Sequence, residues 1–228
     1  MNYTGTTVII PTLNESQNIT ELLETIRRNY PEAKVIVADD GSTDGTKEKV
    51  SATGRKNRNI KLLDRSSEKL HGLTASVIDA VKTADSEFVA VIDGDLQHPP
   101  EKIKEITKKL EEGNDIAIGT REKVEGIWPL QRRIMSKTAT TLAQLRLRRM
   151  LRDPMSGFFG AKTAMFRKVL AEKEAKFEKK GYKVLFELLK YAPNAKIAEV
   201  SYTFRERAGG KSKIGKKQVI AMARALIK

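Results

Sequence analysis

The sequence predicts an α/β fold, with a mostly parallel central sheet and helices on both of its faces. Apolar runs of four or five residues alternate, up to residue 119, with segments whose apolar residues recur at helical spacing. This alternation is typical of βαβ units, in which consecutive strands run parallel. The run at 88–92 is the most informative, because it passes directly into Asp93-Gly94-Asp95 and stops at Pro99-Pro100. A continuous apolar run with such boundaries indicates a strand that is buried on both faces.

Five strands and four helices are expected in this first part of the chain. The predicted strands are residues 6–10, 34–38, 60–63, 88–92 and 116–119. The first helix follows Asn14, which can act as an N-cap, with Gln17 as the partner in a capping box. The other predicted helices begin after residue 45, at residue 72 and at Pro99-Pro100, where proline suits the first helical turn.

The second part of the chain has a less regular pattern. It predicts a helix at 130–151, a loop and short strand at 153–160, helices at 162–175 and 181–191, and a late strand at 197–204. We expect one domain over residues 1–204 that includes the amphipathic helix at 130–151. A basic loop and a C-terminal amphipathic helix are expected over residues 205–228.

Composition limits the possible classes of protein. The 228 residues include no cysteine, which excludes disulfides and thiolate metal sites. The chain is 39% hydrophobic and 32% charged, as expected for a globular protein, and it has no apolar run of 18 residues. The polar N-terminus leads almost at once into a strand, so no signal peptide is expected.

The net charge of +14 is concentrated in two segments. Residues 121–152 hold nine Lys/Arg and two Glu, and residues 205–228 hold eight Lys/Arg and one Glu, so that each segment carries +7. Such localised charge favours an anionic partner, which is a phosphate, an anionic membrane surface or a nucleic acid. The alternative is a generally charged, heat-adapted surface, which explains one-sided charge poorly.

Carboxylates follow two of the predicted strands. Asp39-Asp40 ends the second strand, and Asp93 and Asp95, with Gln97, follow the fourth. Ligands of open α/β sheets bind beyond the carboxyl ends of strands, and carboxylate and amide oxygens suit Mg²⁺ or Mn²⁺. The chain lacks the glycine-rich phosphate loops of dinucleotide-binding proteins and P-loop enzymes. A cation at Asp93 and Asp95 would hold a diphosphate, and the carboxylates after the second strand would bind a ribose or a base. This combination favours a site for a sugar nucleotide over a solvated turn that binds no ligand.

The motifs resemble those of a known family. Pro11-Thr12-Leu13-Asn14-Glu15, Val37-Ala38-Asp39-Asp40-Gly41-Ser42 and Asp93-Gly94-Asp95 resemble the inverting family 2 glycosyltransferases, which have the GT-A fold. Further motifs resemble the polyprenyl-phosphate branch of that family, and most closely the dolichyl-phosphate mannose synthases. They are Gln97-His98-Pro99-Pro100, Gly119-Thr120-Arg121, Asp153-Pro154-Met155-Ser156-Gly157 and Gly210-Lys211-Ser212-Lys213.

The resemblance implies roles for matching positions. The nucleotide sugar would be bound by Pro11, Leu13, Glu15, Asp39, Asp40, Asp93, Arg207 and Lys213. The metal, Mg²⁺ or Mn²⁺, would be held by Asp93, Asp95 and Gln97. The acceptor phosphate would be bound by Arg121, Arg132 and Ser136, and the catalytic residues would be Asp95, Arg121 and Asp153. The alternatives are that Arg121 only pairs with a carboxylate and that Asp153 only caps the turn before Pro154.

The activity implied by the resemblance is transfer of mannose, with inversion, from GDP-mannose to dolichyl or another polyprenyl phosphate. The alternative donor is UDP-glucose or another UDP-sugar. The water-insoluble acceptor implies that the helix at 130–151 lies on the cytoplasmic face of a membrane, whereas simple packing on the domain is the alternative. Larger members continue into transmembrane helices, so an anchor beyond residue 228 is possible.

A nucleic-acid-binding module is the alternative from a different class. The net charge of +14 motivates it. Only 6% of residues are aromatic, however, and the Asp-rich strand ends would repel a phosphate backbone. We therefore expect no nucleic-acid partner.

Overall fold

The computed structural model describes residues 5–126, 130–206 and 224–225, without the side chains of residues 130–134. Seven strands form one sheet, and seven α-helices cover it within this part of the chain. The strands are β1 (Thr6–Thr12), β2 (Lys34–Asp39), β3 (Ile60–Asp64), β4 (Phe88–Val91), β5 (Ile116–Val124), β6 (Phe159–Lys162) and β7 (Ile197–Phe204). The helices are α1 (Ile19–Asn29), α2 (Thr46–Lys56), α3 (Leu73–Thr83), α4 (Ile103–Glu111), α5 (Leu130–Leu147), α6 (Thr163–Lys173) and α7 (Val184–Tyr191).

The sheet has the order β3-β2-β1-β4-β6-β5-β7. Strands β3, β2, β1 and β4 are parallel neighbours, and β5 is parallel to β7. Only β6 runs antiparallel, between β4 and β5. The prediction of a mostly parallel sheet is thus confirmed, and the carboxyl ends of β1, β2 and β4 meet at one edge.

Alternating side chains of the strands build a core on each face of the sheet. On β1, Val8 and Ile10 pack against the side covered by α1 and α4, while Ile9 packs against the side covered by α3, α6 and α7. This alternation follows from the two-residue period of a strand. Both faces are covered, as the continuous apolar runs of the sequence predict.

Several helix boundaries differ from the prediction, and two of the differences have a cause in the backbone. Helix α1 begins at Ile19 after Asn18, because Asn14 adopts φ 53° and its side chain accepts a hydrogen bond from Thr43 N at 2.9 Å. Asn14 therefore fixes a turn and caps no helix. Helix α5 ends at Leu147 and not at residue 151, because Arg148 has the left-handed φ of 52°.

The C-terminal prediction lies almost entirely outside the described residues. Of the expected loop and helix at 205–228, the structure describes only residues 205–206 and 224–225. Among the described helices, none combines the length and apolar character that crossing a bilayer requires.

Candidate active site

The candidate site lies where β1, β2 and β4 end. Their parallel register brings the residues that follow each strand to one edge: Leu13 after β1, Asp40 after β2 and Asp93 after β4. In open α/β sheets this edge is where ligands bind.

A cavity of about 570 Å³ opens at the β1 and β2 side of this edge. Its lining residues come from the ends of β1 to β3 and the start of α2: Leu13, Asp40, Gly41, Ser42, Thr43, Lys47, Ser66 and His71. Leu13 is among the exposed large apolar side chains of the described residues and offers an apolar contact to a ligand. The volume is in the range of small-molecule sites.

Asp39 lies in the protein interior beneath the cavity wall and does not line the cavity. It is fully buried, and its carboxylate accepts hydrogen bonds from Thr12 Oγ1 at 3.1 Å and from Ser42 N at 2.8 Å. A buried carboxylate needs such donors, because an unsatisfied one is costly to desolvate. In this structure Asp39 shapes the loop after β2, and its predicted contact with a nucleotide sugar stays a prediction.

Pro11 and Glu15, also predicted to bind the nucleotide sugar, lie beneath the cavity surface. Pro11 is buried within β1. The buried Glu15 accepts a hydrogen bond from Asn18 Nδ2 at 2.9 Å, and its N–H donates to Thr46 Oγ1 at 2.9 Å. These contacts join β1 to the starts of α1 and α2.

Asp40 does line the cavity, but an arginine holds it. Arg65, only 2% exposed, forms an ion pair with Asp40 and a second one with Asp79 at 2.8 Å. Gly72 N also donates to Asp40 at 2.7 Å, and His71 Nδ1 lies 3.2 Å from it. The Asp40 carboxylate is thus fixed in one orientation at the cavity wall. Nothing in the sequence around Arg65 marks it as the partner of a residue 25 positions away.

The loop after β4 carries the predicted cation ligands. Asp93 is 32% exposed, Asp95 is buried, and Leu96 adopts a left-handed φ of 63°. Gln97 Nε2 donates to Arg205 O at 3.1 Å, which orients the amide. The strained backbone at Leu96 is typical of functional loops.

The donor set of this loop fits a hard divalent cation. Within the described ranges, no group of three or more His, Cys, Asp or Glu side chains is arranged to hold a metal ion. Mg²⁺ is nevertheless commonly coordinated by only one or two carboxylates of a protein, such as Asp93 and Asp95, because substrate phosphates and water occupy its other coordination positions. A carbon at the Cβ position of Gly157 would lie 2.6 Å from Asp93 Oδ2, so glycine there gives the carboxylate its room.

His98 is a neutral support of this loop. Its ring is buried, stacks on Phe158 at 5.6 Å, and accepts a hydrogen bond from Asp93 N through Nδ1 at 3.4 Å. Burial lowers the pKa of His98 to about 4, although the Asp95 carboxylate opposes this shift. An uncharged imidazole is therefore present at neutral pH, as expected of a residue that orients the loop.

Arg121 and Asp153, both predicted to be catalytic, form a two-point ion pair. Arg121 Nε donates to Asp153 Oδ2 at 2.6 Å, and Nη2 donates to Oδ1 at 3.1 Å. The side chains are 23% and 5% exposed, and the guanidinium lies 5.7 Å from the centre of the Phe204 ring. The structure thus brings Arg121 from β5 and Asp153 from the loop before β6 together in a fixed geometry.

A lysine that the sequence analysis missed adjoins this pair. Lys183, just before α7, donates to Met155 O at 2.8 Å and interacts electrostatically with Arg121, Asp153 and Asp93. Burial, together with the Arg121 charge, lowers the pKa of Lys183 to about 8 against the pull of the two carboxylates. Gly181-Tyr182-Lys183 is no recognised motif, so only the fold reveals this neighbourhood.

The remaining predicted residues are described in part. Ser136 lies half-buried on α5. Arg132 belongs to the same helix, but its side chain lies outside the described residues, as do Arg207 and Lys213. Their predicted roles stay predictions.

Helix α5 exposes an unusual apolar surface, as the amphipathic pattern at 130–151 predicts. Leu145 is 70% exposed and Met150, just beyond the helix, is 86% exposed, while Met135 and Leu142 are also exposed. On the opposite side of the helix, Ala143 is fully buried in a small core cluster. The helix is therefore anchored to the domain and still presents apolar side chains outward.

Residues 7–172 match the family model of glycosyl transferase family 2. A dolichol-phosphate mannosyltransferase of Pyrococcus furiosus is 37% identical to 95% of this chain, which spans 61% of that relative's length. A dolichol-phosphate mannosyltransferase of Saccharomyces cerevisiae is 32% identical to 93% of the chain, across 82% of its own length.

Solved structures share the fold. One is glucosyl-3-phosphoglycerate synthase from Mycobacterium tuberculosis in complex with Mn²⁺, uridine diphosphate and phosphoglyceric acid. It superimposes with a TM-score of 0.70 at 20% identity, over 97% of this chain and 75% of its own. The likeness confirms the predicted GT-A architecture.

Proposed function

The chain belongs to glycosyl transferase family 2, and from that premise we propose that it transfers mannose from GDP-mannose to dolichyl or another polyprenyl phosphate, with inversion. The observation that carries the proposal is the match of 95% of the chain to a relative named dolichol-phosphate mannosyltransferase. Because that relative is longer, the substrates of this chain are themselves part of the proposal.

The cavity supports binding of the nucleoside half of the donor. Leu13 offers an apolar surface for a base, and Lys47, which donates to Ser66 Oγ at 2.9 Å, adds a cation at the rim. Asp40, held by Arg65, supplies a fixed carboxylate at the wall. The Asp93 loop at the neighbouring strand end suits the diphosphate.

The reaction requires little acid–base chemistry from the protein. An oxygen of the lipid phosphate attacks C1 of mannose as the bond from C1 to the GDP phosphate breaks, so that configuration at C1 inverts and GDP departs. The attacking phosphate is already ionised at neutral pH, and no general base is needed. The chain's task is to align two anionic groups and to balance their charge, for which Arg121 supplies a cation.

Asp93, Asp95 and Gln97 are the residues that would hold a divalent cation, Mg²⁺ or Mn²⁺. When bound there, the cation would neutralise charge that develops on the leaving diphosphate.

We propose that the chain lies on the cytoplasmic face of a membrane, and helix α5 supports contact with a membrane surface. Its exposed apolar side chains, including Leu145, lie beside Arg146 and Arg148 in the segment that carries +7. Apolar contact with acyl chains combined with arginine at anionic headgroups is the chemistry of an interfacial helix.

A transfer assay with a panel of donors and acceptors tests the proposal. We expect labelled mannose to pass from GDP-mannose to a polyprenyl phosphate in the presence of Mg²⁺ or Mn²⁺. Preferential turnover of UDP-glucose would replace the mannose assignment with the UDP-sugar alternative. Salt-sensitive DNA binding without any sugar transfer would overturn the enzyme assignment.

Asp95→Ala tests the metal ligands within the same assay. We expect loss of transfer with the fold retained, since Asp95 accepts a hydrogen bond from Gln97 N at 3.2 Å within its own loop and lies outside the hydrophobic core clusters. Asp85→Ala, at an exposed ion pair with Lys34, is the matched control and should keep full activity. Full turnover by the Asp95→Ala variant would refute the metal role.

A further inference from the structure

The linker at 178–183, between α6 and α7, is fixed at the edge of the cavity. Gly181 O accepts a hydrogen bond from Thr74 N at 3.1 Å, in the first turn of α3. A Cβ on Gly72 would lie 2.5 Å from Lys179 O, so the two backbones are in direct contact there. One end of the linker is therefore held against the helix start that also binds Asp40.

The other end of the linker carries Lys183, which reaches the loop of Asp153. Lys183 Nζ donates a hydrogen bond to the backbone carbonyl of Met155, at 2.8 Å. The charged groups that act on it are Arg121 from β5, Asp153 from the loop and Asp93 from the end of β4. The ammonium therefore lies among the charges of the candidate active site.

The loop at 153–157, which Lys183 holds, contacts both Arg121 and Asp93. Asp153 at its start carries the two-point pair with Arg121, and Ser156 N closes the turn on Asp153 O at 3.1 Å. Gly157 at its end is so close to Asp93 that a Cβ there would lie 2.6 Å from Oδ2. Movement of this loop would shift Arg121 and Asp93 together.

We propose that Lys183 is a positioning residue for the transfer step, because its ammonium locks the loop at 153–157 and thereby orients Arg121 and Asp93. The inference rests on the proposed function, since glycosyl transfer is the step that is positioned. Lys183 acts through the loop at 153–157, which it reaches from the start of α7. Its hydrogen bond thereby joins this loop to the linker at 178–183, at the edge of the cavity. A lysine suits this role because its charge strengthens a hydrogen bond to a backbone carbonyl.

Hydrogen exchange of the loop tests the contact without any need for activity. In Lys183→Met the apolar stem is kept and the donor is lost, so we expect the amides of Ser156 and Phe158 to exchange about tenfold faster than in the wild type. Lys168→Met, at an exposed lysine of α6, is the matched control and should leave this exchange unchanged. Unaltered exchange in Lys183→Met overturns the inference.

Kinetics test the consequence for transfer. We expect Lys183→Met to lower kcat by about 10- to 100-fold, because Arg121 is misplaced, and to raise KM for the nucleotide sugar by a smaller factor, because Asp93 shifts while the cavity for the nucleoside is kept. Wild-type kcat/KM should fall as pH rises through about 8, where Lys183 of the free enzyme loses its proton, whereas Lys183→Arg should stay active there.

The outcomes separate this inference from the proposed function. A wild type that turns over no nucleotide sugar overturns the proposed function, and loop exchange then decides the role of Lys183. An active wild type with an equally active Lys183→Met overturns the role of Lys183 alone. If Lys183→Met does not fold, the pH profile of the Lys183→Arg variant tests the inference instead. A loss of transfer activity at alkaline pH identical to that of the wild type contradicts the inference.

Discussion

Removal of the Asp153 carboxylate tests how much the Arg121–Asp153 ion pair contributes to the free energy of unfolding. Asp153→Ala leaves Arg121 without its two-point partner, although the guanidinium stays 23% exposed to water. Breaking a fully buried ion pair costs about 3–5 kcal/mol, whereas an exposed pair contributes about 0–1 kcal/mol. Since Asp153 is 5% exposed and Arg121 is partly open, we expect a loss of about 3 kcal/mol in the free energy of unfolding.

Thermal denaturation measures this loss. For a domain of this size, each kcal/mol lowers Tm by about 2–4 °C, so Asp153→Ala should melt about 6–12 °C below the wild type. Asp85→Ala breaks the Lys34–Asp85 pair, whose side chains are 43% and 67% exposed, and should lower Tm by less than about 2 °C. Equal Tm losses in the two variants would refute the conclusion that burial makes the Arg121–Asp153 pair strong.

A double-mutant cycle isolates the pair itself. Arg121→Met removes the charge that Asp153→Ala would strand, so the double variant should be destabilised by less than the sum of the single variants. We expect a coupling free energy of about 2 kcal/mol, in the upper part of the range for residues in direct contact. Additive losses would show that the two side chains stabilise the fold independently.

Two further predictions concern the cation loop and the membrane. Gly157→Ala should displace Asp93, because the new Cβ would lie 2.6 Å from Oδ2; we expect weaker Mn²⁺ binding by calorimetry, and wild-type affinity would contradict this geometry. Leu145→Glu, on the exposed side of α5, should lower sedimentation with anionic vesicles about tenfold, since it removes an apolar side chain that would enter the acyl region and adds a charge that anionic lipids repel. Glu122→Gln, at an exposed residue of β5, is a control for that assay, and equal vesicle binding of wild type and Leu145→Glu would exclude α5 as the contact.

The sheet was predictable because its signals are local. Strands β1, β2 and β4 are built on continuous apolar runs that are followed by a turn or a carboxylate, as at Asp40 and Asp93, and such runs need no knowledge of distant residues. Strand β6 is different, since its four residues carry no alternation and its antiparallel insertion between β4 and β5 depends on tertiary packing. Gly160 allows that insertion, because a Cβ there would lie 2.5 Å from Ile106 Cγ2.

The ionic partners of the site were not predictable, because they come from distant parts of the chain. Arg65 reaches Asp40 from the end of β3, and Lys183 reaches the Asp153 loop from the start of α7. The nearby sequence of each is compatible with an ordinary surface cation. Only the sheet order and the packing of α7 bring these charges to the edge where the strands end.

Burial distinguishes among the acidic residues that the motifs place at this edge. Asp39 is fully buried and shapes a loop, while the Asp40 and Asp153 side chains, 9% and 5% exposed, each orient an arginine. A carboxylate that is withdrawn from water must be satisfied by the protein itself, so Asp39 and Asp153 act chiefly through the groups that they hold, while Asp40, although held by Arg65, also lines the cavity. The Asp93 side chain is more open than these three, at 32%, and the buried Asp95 lies in the same loop. Contact with a diphosphate and its cation should therefore centre on the loop of Asp93 and Asp95, whereas the nucleoside should meet Asp40.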